Sequence, residues 1–262
     1  MAPGGHRAAM ASRAQEIRAA PPDDTAPVLS WDDFNTYALD WRQDQHLAAV
    51  GPTGQGKSTT IHGLVDAHRS YVAYLATKPK DRTLEAYIAK GGYQRCADWP
   101  PKRGFIVKKP VPAEDMPRRL VWPDATSLNA EAEQIRVFKA ALADIYQSGG
   151  WCTVWDDFWY LSVLLGLEKD AKKFLYNARS NDIPFVLGAQ RPAGNRLVEI
   201  FDQADHILFF RDNDEANLRR IGGVGWLSSD LIRAHVANLE QYQFLYCNTR
   251  SGWMYRCTAP EL

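Results

Sequence analysis

The sequence predicts an α/β fold, a mostly parallel sheet with helices on both faces and a β-hairpin at the C-terminal end. Three observations predict it. Short apolar runs of strand length alternate with stretches whose apolar residues recur at helical spacing. The first such run, His46-Leu47-Ala48-Ala49-Val50, passes through a glycine-rich turn into a helical stretch. The last two runs, Gln241 to Cys247 and Gly252 to Cys257, are joined by Asn248-Thr249-Arg250-Ser251, a hairpin signal.

In order along the chain, residues 1–27 are rich in Ala, Pro, Gly and Arg and offer little to bury. They read as a tail, either a plain disordered leader or a basic arm. Residues 28–262 form one expected domain with its core at 45–225. Trp31, Phe34, Tyr37 and Trp41 mark a short aromatic helix over 28–44. After the glycine-rich turn, Ile61, Leu64, Val65 and Ala67 give a helix from Ser58 to Arg69. Tyr71 to Thr77 is the second strand. Residues 78–119 carry eleven Lys or Arg against five Asp or Glu, a surplus of six positive charges, with Tyr93, Trp99 and Phe105 interleaved. This segment reads as an insertion, either simply solvated or a surface for a phosphate backbone.

Helical spacing resumes from Ala130 to Tyr146 and stops at Ser148-Gly149-Gly150. Trp151 to Trp155 is a buried strand ending in two acids. A helix from Glu168 to Arg179, strands Ile183–Ala189 and His206–Phe210, and a helical stretch Asp214–Ile221 complete the alternation.

Composition narrows the class. The chain has 31 Lys or Arg and 31 Asp or Glu, so overall charge selects no polyanionic partner. The apolar run Phe158–Leu167 falls short of the roughly 20 residues that cross a bilayer, and Arg7, Arg13 and Arg18 precede no apolar segment of a secretory signal. Cys96, Cys152, Cys247 and Cys257 form no C-x-x-C pair, so neither a zinc site nor a disulfide framework is expected. A reducing cytoplasm suits this pattern.

The turn after the first strand reads Gly51-Pro52-Thr53-Gly54-Gln55-Gly56-Lys57-Ser58-Thr59, the nucleotide-triphosphate pattern G-x-x-x-x-G-K-[ST]. The glycines let successive N–H groups turn inward on phosphate oxygens, Lys57 places a charge on the β- and γ-phosphates, and the Ser58 hydroxyl completes a magnesium shell. The following helix adds the partial positive charge of its N-terminus. ATP and Mg²⁺ are therefore the expected cofactors.

A buried strand ending in acids supplies the other half of such a site. Asp156 is placed to reach magnesium through water, and Asp157 to orient and deprotonate the attacking water. The bland alternative is a strand end with two solvated acids. Gln190 ends a later strand, where its amide serves as a γ-phosphate sensor or as a simple strand cap. Arg179 ends a helix, where it is either an arginine finger reaching a neighbouring subunit or a solvated residue favoured by the helix dipole. Arg191 is the competing finger.

These residues carry a resemblance. Gly51–Thr59, the strand ending in Asp156-Asp157, and Asn177-Ala178-Arg179 running into Val186-Leu187-Gly188-Ala189-Gln190-Arg191-Pro192 resemble the HerA–FtsK superfamily of DNA-pumping ATPases over roughly residues 45–225. The Thr77-Lys78-Pro79 turn and Trp99-Pro100-Pro101 resemble small bacteriophage members. The resemblance implies a RecA-like P-loop NTPase, assembly as a ring of five or six copies, double-stranded DNA as cargo, and a portal, capsid or other DNA-transfer partner. It implies a phosphate-loop role for Gly51 to Ser58, magnesium for Asp156, water activation for Asp157, sensing for Gln190 and the finger for Arg179. Where many members have Glu, this chain has Asp157, one methylene shorter.

Two other classes compete. A nucleotide or metabolite kinase on the same core needs an Arg-rich lid, for which Arg219 and Arg220 are candidates. An ATP-binding assembly adaptor needs no turnover, and so needs neither Asp157 nor Gln190.

Overall fold

Fully apolar strands with no polar face must be covered on both sides, which sets the architecture. The computed structural model describes residues 12–13, 15, 17, 26–89, 92–100, 118–127, 129–190, 195–221, 224 and 227–260. Ten strands are present among them: β1 (Val28–Leu29), β2 (Leu47–Val50), β3 (Val72–Leu75), β4 (Gln94–Cys96), β5 (Arg118–Val121), β6 (Cys152–Trp155), β7 (Phe185–Ala189), β8 (His206–Phe210), β9 (Gln243–Asn248) and β10 (Met254–Thr258). They form one sheet in the order β1-β10-β9-β8-β2-β7-β6-β3-β5-β4. From β8 through β4 every pairing is parallel, whereas β9 pairs antiparallel with both β8 and β10. The expected parallel sheet and C-terminal hairpin are both present.

Side chains alternate across the pleat and divide the core into two layers. On one face Ala48, Val50, Trp155, Phe185 and Leu187 pack beneath the helices Glu131–Ser148, Glu168–Asn177, Asn195–Gln203 and Ser229–Ala237. On the other, Leu47, Ala49, Val154 and Val186 pack against Ile61, Leu64 and Val65 of the helix Lys57–His68. The topology places β2 between β7 and β8, although the chain runs from β2 to β3 on one side and from β7 to β8 on the other. The carboxyl end of β2 is thus a switch point, where open α/β sheets form a crevice.

Several elements differ from the sequence reading. Residues 78–119 are not wholly an insertion, because they contain the helix Arg82–Ala89 and the strands β4 and β5. Arg119 is buried, its guanidinium carbon 5.5 Å from the Trp99 ring centroid and 5.7 Å from that of Trp151. Arg118 pairs with Asp66 at 3.1 Å. Two cations of the basic surplus therefore serve the core. Residues 101–117 lie outside the described residues, as does most of the 1–27 tail; within that tail Ile17 is buried, and its carbonyl accepts from the Tyr255 hydroxyl at 2.8 Å. The aromatic helix expected over 28–44 is shorter, with β1 leading into Trp31–Asp33 and a wide turn over Phe34–Ala38. The helix expected to reach Arg179 ends at Asn177 and tightens into a 3₁₀ turn over Ala178–Asn181.

Three histidines are buried as neutral rings. His46 Nδ1 accepts from the Phe185 N–H at 3.1 Å, so Nε2 carries the proton and donates to the Leu175 carbonyl at 3.2 Å. Burial, aided by Arg179, lowers its pKa to about 4. His206 lies between Tyr246 and Gln45, and burial lowers it to about 3. His62 is stacked between Tyr74 and Tyr87, with ring centroids 4.7 and 4.1 Å away and neither nitrogen hydrogen-bonded. Burial lowers it to about 4.

Each ring binds a proton more readily in the unfolded chain, so stability falls as pH drops from about 6.5 towards about 4. His62→Phe keeps the stack and sacrifices no hydrogen bond. It is expected to abolish about 3 kcal/mol of the stability lost between pH 7 and pH 4. Thermal unfolding across that range checks it, and an unchanged acid slope refutes it.

Candidate nucleotide site

The crevice at the end of β2 is a cleft of about 320 Å³. Gly51 opens the loop with φ +150°, and its N–H donates to the Ala189 carbonyl at 3.0 Å, which ties the loop to β7. A side chain at 51 would begin 2.7 Å from the Phe210 Cβ, so only glycine fits. Gly56, at φ +93°, turns the chain into the helix that Lys57 begins. Thr53, Gly54, Gly56, Lys57, Ser58 and Thr59 line the cleft. In the same loop the buried Gln55 Oε1 has no hydrogen-bond partner.

Lys57 is only 8% exposed, and its Nζ donates back to the Pro52 carbonyl at 2.7 Å. Burial lowers its pKa to about 8 against the opposing pull of Asp156. The ammonium is held over the loop and incompletely neutralised, ready for an anionic ligand. The Ser58 hydroxyl donates to Asp156 Oδ2 at 2.6 Å, while the buried Asp156 Oδ1 has no hydrogen-bond partner. A hydroxyl and a carboxylate this close, with one oxygen unclaimed, fit the shell of a small hard cation such as Mg²⁺. The described residues contain no cluster of three or more His, Cys, Asp or Glu that could hold a metal.

Asp157 lies beside Asp156 in the same cleft. Burial raises its carboxyl above the ordinary range, opposed by the Tyr160 N–H, which donates to Asp157 Oδ1 at 3.2 Å. The Tyr160 hydroxyl donates to Gln134 Oε1 at 2.8 Å, and Gln134 Nε2 to the Thr77 carbonyl at 3.0 Å. This chain fixes the turn after the two acids to the end of β3. Gln190, exposed at the end of β7, lines the cleft as well. Of the residues singled out in the sequence, the structure thus brings together the phosphate loop, Asp156, Asp157 and Gln190.

It does not bring Arg179 to the phosphate loop of its own chain. Its guanidinium pairs with Asp205 at 2.7 Å and also donates to the carbonyls of Asp44 and Gln203, beside the starts of β2 and β8. That is the opposite edge of the sheet from the cleft. Arg191 lies outside the described residues.

The sequence reading missed Tyr74, Thr83 and Tyr242, which also line the cleft. It also missed what Gly188 does. A Cβ there would lie 2.4 Å from the Asp156 carbonyl oxygen and 2.8 Å from Oδ1, so the glycine makes room for the acid on the neighbouring strand. Lys78 and Asp81, in the turn that follows β3, line the cleft too and pair at 3.3 Å.

A parallel sheet with this switch point, a glycine loop entering a helix, and paired acids on a nearby strand define the RecA-like P-loop NTPase fold. Among solved structures the chain is similar to the DNA-packaging ATPase B204 from Sulfolobus turreted icosahedral virus, with TM-score 0.56 and 19% identity over 84% of this chain and 100% of that one. It is also similar to the genome packaging NTPase B204 from Sulfolobus turreted icosahedral virus 2. The complex of that protein with sulfate gives TM-score 0.55 and 18% identity over 84% and 98%, and its complex with AMPPCP gives 0.53 and 18% over 84% and 100%. No protein-family model matches the sequence, and no curated protein matches it. Among the described residues no helix is long and apolar enough to cross a membrane.

Proposed function

We propose that this chain is a HerA–FtsK-type ATPase that moves double-stranded DNA, in viral genome packaging or plasmid transfer, with ATP hydrolysed at the seams of a homo-oligomeric ring. The observation that carries the reading is the convergence of Lys57, Ser58, Asp156, Asp157 and Gln190 on one cleft. The fold shared with a DNA-packaging ATPase supports it, as does the complex of the similar genome packaging NTPase from Sulfolobus turreted icosahedral virus 2 with AMPPCP.

In this reading the loop N–H groups and Lys57 bind the β- and γ-phosphates. Asp157, held by the Tyr160 N–H, orients the attacking water and takes its proton; its raised pKa makes it a stronger base than an ordinary carboxylate. Gln190 positions the same water. Mg²⁺ held by Ser58 and Asp156 would supply charge neutralisation on the phosphates. Arg179 of a neighbouring subunit would complete the site, with Asp205 fixing the direction of its guanidinium. Arg191 is the alternative donor.

The experiment is phosphate release with and without long double-stranded DNA. The expected result is DNA-stimulated release of free phosphate from a multimeric sample. A phosphorylated acceptor would mean a kinase, and normal assembly without turnover an adaptor. Arg179→Lys retains the charge on Asp205 but loses the guanidinium fork. Mixed with Lys57→Ala subunits, it should regain activity that neither possesses alone. No gain on mixing rules out a finger at 179 acting across the seam.

A further inference from the structure

Tyr242 borders the cleft in a conformation that its side chain does not favour. Its φ is +64°, and its ring is half exposed. It occupies a turn closed by the Gln243 N–H donating to the Glu240 carbonyl at 3.1 Å and the Glu240 N–H donating to Gln243 Oε1 at 2.9 Å. The Tyr242 carbonyl accepts from the Ala259 N–H at 2.7 Å, which ties the turn to the segment after β10. Its Cδ1 lies 3.5 Å from where a side chain on Gly56 would begin, so the ring leans on the phosphate loop. Glycine is the residue such a backbone favours, and an aromatic held there at a cost of about 1 kcal/mol calls for a compensating use.

We propose that Tyr242 is the platform on which the base of the bound nucleotide stacks. The inference rests on the reading of the cleft as an ATP site and adds the base-binding end to it. Lys57, Ser58 and the acids account for the phosphates; among the described lining residues Tyr74 and Tyr242 are the only aromatic rings, and Tyr74 is buried in the sheet beneath. An exposed ring beside the loop offers a π-face to a purine without asking for hydrogen bonds to its edge.

The test compares ATP with inorganic tripolyphosphate by calorimetry on wild type, Tyr242→Phe and Tyr242→Gly. Glycine relieves the backbone strain, so Tyr242→Gly should unfold at the wild-type temperature or above. It should bind ATP roughly 10- to 100-fold more weakly and tripolyphosphate as wild type does. Tyr242→Phe should match wild type for both ligands. If Tyr242→Gly binds ATP as tightly as wild type, or loses both ligands equally, the stacking role is overturned while the ATP site stands. If wild type binds neither ligand, the ATP-site reading falls and this one with it.

Discussion

Lys57→Met is expected to stop ATP turnover and, in the same protein, to raise the unfolding temperature without nucleotide. The two effects share one cause. The Lys57 ammonium is buried over its own loop, with the Pro52 carbonyl at 2.7 Å as its hydrogen-bond acceptor. Burial lowers its pKa from 10.5 to about 8, which corresponds to a cost of about 3 kcal/mol for keeping it charged in the fold. The Pro52 carbonyl loses its donor in the variant, at about 1 kcal/mol or more. The net gain is about 1–2 kcal/mol at pH 7.

The sign can be checked with pH. The unfolded chain holds the lysine proton more tightly, so wild-type stability rises between about pH 8 and 10.5 and the advantage of the variant fades over that interval. Turnover should fall at least about a hundredfold, the scale of one lost charge-stabilising donor. Thermal unfolding at pH 7 and pH 10 and phosphate release measure both effects. A variant that turns over ATP like wild type, or is less stable at pH 7, contradicts the account.

Gly188→Ala is expected to damage catalysis through a residue that touches no ligand. The added methyl would sit 2.4 Å from the backbone oxygen of Asp156 and 2.8 Å from its Oδ1. Neither strand can yield easily, because β7 is hydrogen-bonded between β2 and β6. Stability should drop by about 1–3 kcal/mol, the usual cost of overpacking. The carboxylate must shift by a fraction of an ångström or more, and misplacement on that scale costs up to about a hundredfold in rate. Half-saturation with magnesium should rise, while affinity for nucleotide without metal should hold, because Lys57 and the loop N–H groups are unmoved. Equal magnesium dependence in variant and parent would disprove the link between Gly188 and Asp156.

What was legible in the sequence followed from local constraint. The phosphate loop is a contiguous pattern in which each position has its own geometric job, and β2, β6, β7 and β8 are uninterrupted apolar runs. Asp156, Asp157 and Gln190 could be placed because each ends such a run, and parallel strands carry their ends to one edge. The misses have the opposite character. β5 contains Arg118 and Arg119, whose cations are satisfied by Asp66 and by two tryptophans far away in sequence, so its charges read as surface. Gly188 looks like any strand glycine until the neighbouring strand is in place. Tyr242 carries no motif, and only its backbone angle and its position over Gly56 mark it. Arg179 was legible as a residue but not in its surroundings, because Asp205 lies 26 positions on.

Asp205 has a mechanical consequence. Its nearly inaccessible carboxylate holds Arg179 and Arg250 and accepts from the His46 N–H at 2.9 Å. His46 is the residue before β2, and Gly51 is the residue after it. Only four residues, roughly 13 Å of extended chain, separate this anchor from the triphosphate cradle. A tug on the guanidinium at the base of the sheet would be transmitted up a stiff rod to the mouth, with no slack loop between to absorb it.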